Sequence, residues 1–221
     1  MSKFAIVCIV CNHTNYVKQS GNVQLYRSLQ LGKSVHEKKL DKILITNGFP
    51  RKMFEKHVKQ GWQIVDVSNE LKRKISLIPI YKQTPGLRWN SKSLEIQMRQ
   101  DYACTSLKFM AWNFTQYDRI LVSDTDVCFY DHDIYNWMDR HRKWKFIAEK
   151  ETARRGFVGI QSHLMYIKPN EDIFDILVEL GKFRSFLPYT NGDQDIIESI
   201  YAAKNFPPLP NHKHWITRGP C

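Results

Sequence analysis

The stretch Tyr117–Tyr130, YDRILVSDTDVCFY, is an apolar run that ends in two carboxylates one residue apart. In an extended segment residues i and i+2 share a face, so Asp124 and Asp126 can converge on one cation while Thr125 points away. Ile120, Leu121 and Val122 predict a strand buried on both faces, which sets the carboxylates at its exit. Ligands of open parallel sheets bind outside the carboxyl ends of the strands. Two hard oxygen donors suit Mg²⁺ or Mn²⁺, an ion that completes its shell with waters and substrate phosphates. The pair therefore predicts a metal-assisted diphosphate site, with a solvated acidic turn as the competing reading.

Working outward, the first third of the chain alternates strand and helix. Phe4–Val10 reads as a buried strand with a polar exit at Asn12–Asn15, and Val23, Leu25, Tyr26, Leu29 and Leu31 give the next segment a helical apolar period. Asp41–Thr46 is a second strand, Pro50 opens a helix running to Lys59, and Gln63–Val67 is a third strand. This alternation predicts an α/β domain with a mostly parallel central sheet flanked by helices. Residues 69–90 break the rhythm with Pro79, Pro85 and Gly86, marking a flap or acceptor-side loop. Ser91–Asn113 reads as an interrupted helix leading into the Asp-bearing strand. Beyond it come a short helix at Asp133–His141, strands at Lys145–Ala148 and Ile160–Lys168, an amphipathic helix at Ile173–Lys182 and a last helix at Asp193–Ala203, capped by Asp193. No repeat, low-complexity segment or linker divides residues 1–221, so one domain is expected, whole or as part of a longer protein.

With 43% hydrophobic residues and six Trp in 221 positions, the composition is that of a folded globular protein. The formal charge of +11 favours an anionic partner without naming it, and no clear run of basic and aromatic residues marks a nucleic-acid reader. Five cysteines, two of them in strand-like apolar runs, read as buried reduced thiols, which implies a cytoplasmic protein. No apolar run reaches transmembrane length.

Several motifs stand in order along the chain. Thr105-Ser106-Leu107-Lys108, Trp112 and Thr115-Gln116-Tyr117 precede Asp124-Thr125-Asp126. Gln161-Ser162-His163-Leu164-Met165-Tyr166-Ile167-Lys168-Pro169 and Asn191-Gly192-Asp193-Gln194 follow. In content, order and spacing this resembles the glycogenin-like family of retaining glycosyltransferases, which have the GT-A fold. The resemblance spans roughly Ile6 to Trp215 and is dense from Arg99 to Asp195. It implies that Asp124 and Asp126 hold Mn²⁺, or Mg²⁺, against the diphosphate of a nucleotide-sugar donor. It places Lys108 and Arg99 at sugar or phosphate oxygens, although nine residues of one straight helix turn them to opposite sides unless the helix breaks. A solvated surface arginine is the alternative for Arg99. Asn12, Thr14 and Tyr16 match the uracil and ribose loop, and Ser123 and Thr125 count with Asp124 as donor contacts. Asp193, Gln194 and Gln161 fall beside the transferred sugar, Asp193 serving also or instead as a helix cap. His163 replaces a small Gly of the family and would narrow the sugar pocket. The resemblance implies a third metal ligand at His214, or else His212, and Lys213 or Arg218 could neutralise diphosphate.

What the resemblance implies is metal-dependent transfer of a sugar, from a UDP-hexose, to a hydroxyl of a glycan or protein, with retention and with no nucleophile assigned. Two other readings stand beside it. A basic binding module or an inactive transferase-like protein would account for the charge and the altered C-terminal motif. A sugar nucleotidyltransferase would need a Gly-rich phosphate loop after the first strand, and residues 11–16 contain no Gly.

Overall fold

The structure is a computed structural model that describes residues 2–11, 21–47, 49–67, 102–152, 158–183, 192–202, 204–214 and 221. Its centre is a six-stranded sheet. The strands are β1 (Phe4–Cys11), β2 (Leu40–Asn47), β3 (Trp62–Asp66), β4 (Arg119–Ser123), β6 (Phe146–Thr152) and β7 (Val158–Ile167), in the spatial order β3-β2-β1-β4-β7-β6. The first four in that order are mutually parallel; β7 runs antiparallel to them, and β6, antiparallel to β7, returns to their direction. A mostly parallel sheet was expected, and it forms.

β1 shows why both faces are covered. Ala5, Val7, Ile9 and Cys11 enter one apolar cluster, while Phe4, Ile6, Cys8 and Val10 enter the other. The first face is covered by a 3-10 segment, Ser106–Asn113, with helices α5 (Glu171–Phe183) and α6 (Asp193–Ile200). The second carries α1 (Gly21–Ser34) and α4 (Ile134–Arg140). A short α2 (Glu55–Lys59) follows a 3-10 turn after Pro50, and α3 (Tyr102–Thr105) leads into the longer 3-10 segment. Of the interrupted helix expected over Ser91–Asn113, the part from 102 onward is this change of helix type, and residues 91–101 lie outside the described residues.

Three details differ from the sequence reading. Tyr26, assigned to the apolar face of α1, is exposed, and Arg27, Ser28 and Gln30 are buried in its place. Gly192, not Asp193, caps α6, and Asp193 is its first helical residue. A two-stranded antiparallel ribbon, β5 (Val127–Phe129) with β8 (His212–His214), was not anticipated. Ser34 Oγ accepts the Phe129 N–H at 3.2 Å and so fastens the ribbon to α1.

Reading the thiols as reduced fails for four of the five. Cys11 is disulfide-bonded to Cys104 and Cys128 to Cys221, which leaves Cys8 as the buried free thiol. The expectation of a cytoplasmic protein rested on those thiols and loses that support. Among the described residues no helix is long and apolar enough to cross a membrane. The flap assigned to residues 69–90 lies outside the described residues, as do Asn12, Thr14, Tyr16 and Arg99.

Candidate active site

In chain order the sheet grows from β1 through β2 to β3 on one side and then resumes with β4 on the other, so β1 and β4 flank the switch point where open α/β sheets bind ligands. The turn after β4 carries Asp124 and Asp126 to this position. Lys108, on the 3-10 segment, is buried beneath them. Its Nζ lies 2.8 Å from Asp124 Oδ1 and 3.1 Å from Asp193 Oδ2, and donates to the Ser162 carbonyl at 3.0 Å. The ammonium is enclosed by two carboxylates and by the Ser162 carbonyl and hydroxyl. Burial works to strip the Lys108 proton, but the carboxylates of Asp124 and Asp193 outweigh it and hold the charge above the ordinary lysine range. Lys108, expected at sugar or phosphate oxygens, is thus the cross-link that joins β4, β7 and α6.

Asp193 is only 1% exposed, so its carboxylate is committed to Lys108 rather than open to solvent. Asp124 also takes the backbone bond of its N–H to the His163 carbonyl, 2.7 Å. Burial pushes the Asp124 carboxyl up to about 6; Lys108 opposes the rise and Asp126 adds to it. Asp126 goes the other way. Burial would raise it, but a hydrogen bond and the charges of His214 and Arg27 bring it below the usual carboxylate value. His214 Nε2 stands 3.3 Å from Asp126 Oδ1, and the contact raises the imidazole in turn. Arg27 Nη1, from α1, is 3.8 Å from Asp126 Oδ2.

A second group lies alongside. The pairing of β6 with β7 slips between Ala148 and Lys150, so that one residue of β6, Glu149, stands against Gln161–Leu164 of β7. Bulges re-aim side chains at the ends of sheets. Here His163 Nε2 reaches His212 Nε2 at 3.3 Å and Glu149 Oε2 at 3.7 Å, with Glu149 Oε1 3.7 Å from His212. The His163 ring also stacks on His214, centroids 4.4 Å apart. Burial, then the neighbouring His214 and His212, depresses His163 to about 3, so it is a neutral imidazole.

The two C-terminal histidines have different partners, His214 with Asp126 and His212 with Glu149 and His163. Lys213 is set apart from both partnerships. It lies between them on β8, and strand alternation turns it to the opposite face, opposite Cys128 in the ribbon, away from the Asp pair. Ser123 is buried and donates to the Asp124 carbonyl at 3.0 Å, while Thr125 is half-buried in the turn. Gln194 Nε2 contacts Glu151 Oε2 at 3.4 Å, and Gln161 sits in the bulge two residues before His163. Sequence reasoning missed Arg27 and Glu149. A charged residue in an otherwise amphipathic helix and a Glu-Lys-Glu at a strand end were the available signals, and both are common on surfaces.

This sheet order is that of the GT-A fold. Solved structures carry the same architecture. Galactosyltransferase LgtC, determined with donor and acceptor sugar analogues, has 15% identity and a TM-score of 0.56, the alignment covering 89% of this chain and 70% of LgtC. GlyE of Streptococcus pneumoniae has 15% identity and a TM-score of 0.54, over 91% of this chain and 43% of GlyE. Mouse xyloside xylosyltransferase 1 has 11% identity and a TM-score of 0.51, over 90% and 82%. The chain therefore spans less than half the length of GlyE. No family model and no curated protein matches the sequence.

Proposed function

We propose that this chain is a metal-dependent glycosyltransferase that moves a sugar from a nucleotide-diphosphate donor, a UDP-hexose, to a hydroxyl of a glycan or protein, with retention. The observation that carries the reading is the 3.3 Å contact of Asp126 with His214 at the switch point of a GT-A sheet. One carboxylate and one imidazole at that separation fit two neighbouring ligands of Mn²⁺ or Mg²⁺, and Asp124 offers a third. Lys108 takes Asp124 Oδ1, which leaves Oδ2 for the ion. When bound, the ion would supply Lewis-acid stabilisation of the departing diphosphate.

The chain's own groups then have distinct tasks. Arg27 and Lys108 offset two of the three carboxylates of Asp124, Asp126 and Asp193, so the site keeps a residual negative charge that suits a cation. Asp193 acts through Lys108 as a positioning residue. Gln161 and the buried Gln194, both neutral amides, are suited to orient sugar hydroxyls. By sequence position, Asn12, Thr14 and Tyr16 would meet the base and ribose beyond β1, with Ser123 and Thr125 near the phosphates and Arg99 at the sugar. His163 fills space beside Gln161 and restricts the sugar that fits. Two disulfides support maturation in an oxidising compartment.

The test is Mn²⁺-dependent hydrolysis or transfer with a panel of UDP-sugars. Asp126→Ala should lose about 10²-fold or more in turnover, the scale of removing one electrostatic contributor to a transition state. Absence of turnover with every nucleotide sugar would favour the binding-module reading instead.

A further inference from the structure

Glu149, His163 and His212 lie beside the Asp126–His214 pair but are not part of it, and the reaction proposed above uses His163 only for its bulk and Glu149 and His212 not at all. We propose that these three residues bind a second cation, a borderline transition ion of the Zn²⁺ class, separate from the ion at Asp124 and Asp126. This inference does not rest on the transferase reading.

The geometry comes first. A tetrahedral ion with bonds of ~2.05 Å holds its ligand atoms ~3.3 Å apart. The two imidazole nitrogens are 3.3 Å apart, and the Glu149 carboxylate lies 3.7 Å from each. One ligand atom from each residue falls within 4.8 Å of the other two. Small side-chain adjustments would bring the carboxylate to bonding distance. Donor chemistry separates this group from its neighbour: two nitrogens and one oxygen suit Zn²⁺, whereas the carboxylates of Asp124 and Asp126 suit a hard ion.

The orientation of His212 is fixed from behind. Its Nδ1 lies 2.8 Å from the Pro210 carbonyl, which can only accept, so Nδ1 carries the hydrogen and Nε2 of the neutral ring presents its lone pair toward His163. Metal-bound histidines are characteristically held this way. His163 is buried in the bulge of β7, and Glu149 is half exposed, so one side of the cluster is open to an entering ion and to a water in the fourth position.

The three ligands come from three strands, β6, β7 and β8. An ion among them would therefore pin the ribbon to the edge of the main sheet. His214 is two residues beyond His212 on that ribbon and stacks on His163, so the same pin would hold His214 against Asp126.

The experiment uses the full chain stripped with chelator and titrated with Co²⁺ followed by visible absorption, and with Zn²⁺ in competition. One equivalent of Co²⁺ should give intense tetrahedral d–d bands that Zn²⁺ abolishes. Glu149→Gln and His212→Ala should each weaken the binding at least tenfold while far-UV circular dichroism stays native, and the bands should persist in Asp126→Ala. Co²⁺ bands that never appear, that survive unchanged in both Glu149→Gln and His212→Ala, or that vanish only in Asp126→Ala would overturn the proposal. Since Glu149→Gln replaces a half-exposed side chain by its isostere, a folding failure does not stand in for a binding result.

Discussion

Lys108 shows how one residue sets the chemistry of its neighbours. Its ammonium is enclosed between Asp124 and Asp193, and removing one partner of such a group strands the others. Lys108→Met should therefore destabilise the protein by about 3–5 kcal/mol in urea unfolding. Lys108→Met combined with Asp193→Asn should recover part of that loss, because one of the two stranded carboxylates becomes neutral. A single variant with wild-type stability would mean that the ammonium has no such structural role. Asp124, Asp126, Lys108 and Asp193 could each be singled out in the sequence, because each stands in a recognisable local motif, and Lys108 touches both Asp124 and Asp193 in the fold. The role of Lys108 could not be read there, since it depends on β7 and α6 arriving from 54 and 85 residues downstream.

Among the elements, the contact between α1 and α2 gives a prediction with a definite sign. His57 of α2 is buried, with Nε2 2.9 Å from Ser28 Oγ of α1, and burial depresses it to about 4. The unfolded chain takes up that proton near pH 6.5, and the folded protein refuses it until about pH 4. The stability it contributes is therefore complete above pH 6.5 and falls as the pH drops toward 4, by up to about 3 kcal/mol. Melting temperatures of wild type and His57→Gln across this range should diverge, the variant showing the shallower slope; parallel curves would contradict the assignment. Strands with apolar runs and helices with a 3.6 period were readable in the chain, and β1, β2, β4 and α5 fall where the pattern puts them. The ribbon was not, because His212-Lys213-His214 carries no apolar alternation and becomes a strand only through its partner. Glu149 escaped for the related reason that a bulge aims it, and a bulge is a property of two strands pairing.

At the scale of the whole molecule the sheet order follows from alternation in the first third, and the switch point from the return of β4 beside β1. What stayed hidden was the pairing of the cysteines. Thiols in apolar runs have the same local pattern whether free or bridged, and only proximity in space distinguishes them. Each disulfide joins residues 93 apart, and cross-links of this span contribute roughly 2–5 kcal/mol. Adding a reductant should lower the melting temperature markedly, and Cys11→Ser with Cys104→Ser should reproduce part of the drop without reductant. No change on reduction would argue that the bridges are absent in solution.

The two bridges also define the molecule as a covalent graph. One closes a ring over residues 11–104, the other over 128–221, and the rings neither nest nor overlap. Residues 105–127 are the tether between them, and that tether carries Lys108, Asp124 and Asp126. A single protease cut inside either ring leaves the polypeptide in one piece on a non-reducing gel, whereas a cut in the tether releases two. The segment that bears Lys108, Asp124 and Asp126 is therefore the one stretch between the bridges where a nick severs the chain; its 3-10 segment and β4 are buried, and the turn between them, exposed at Thr115, Gln116 and Asp118, is where a protease would reach it.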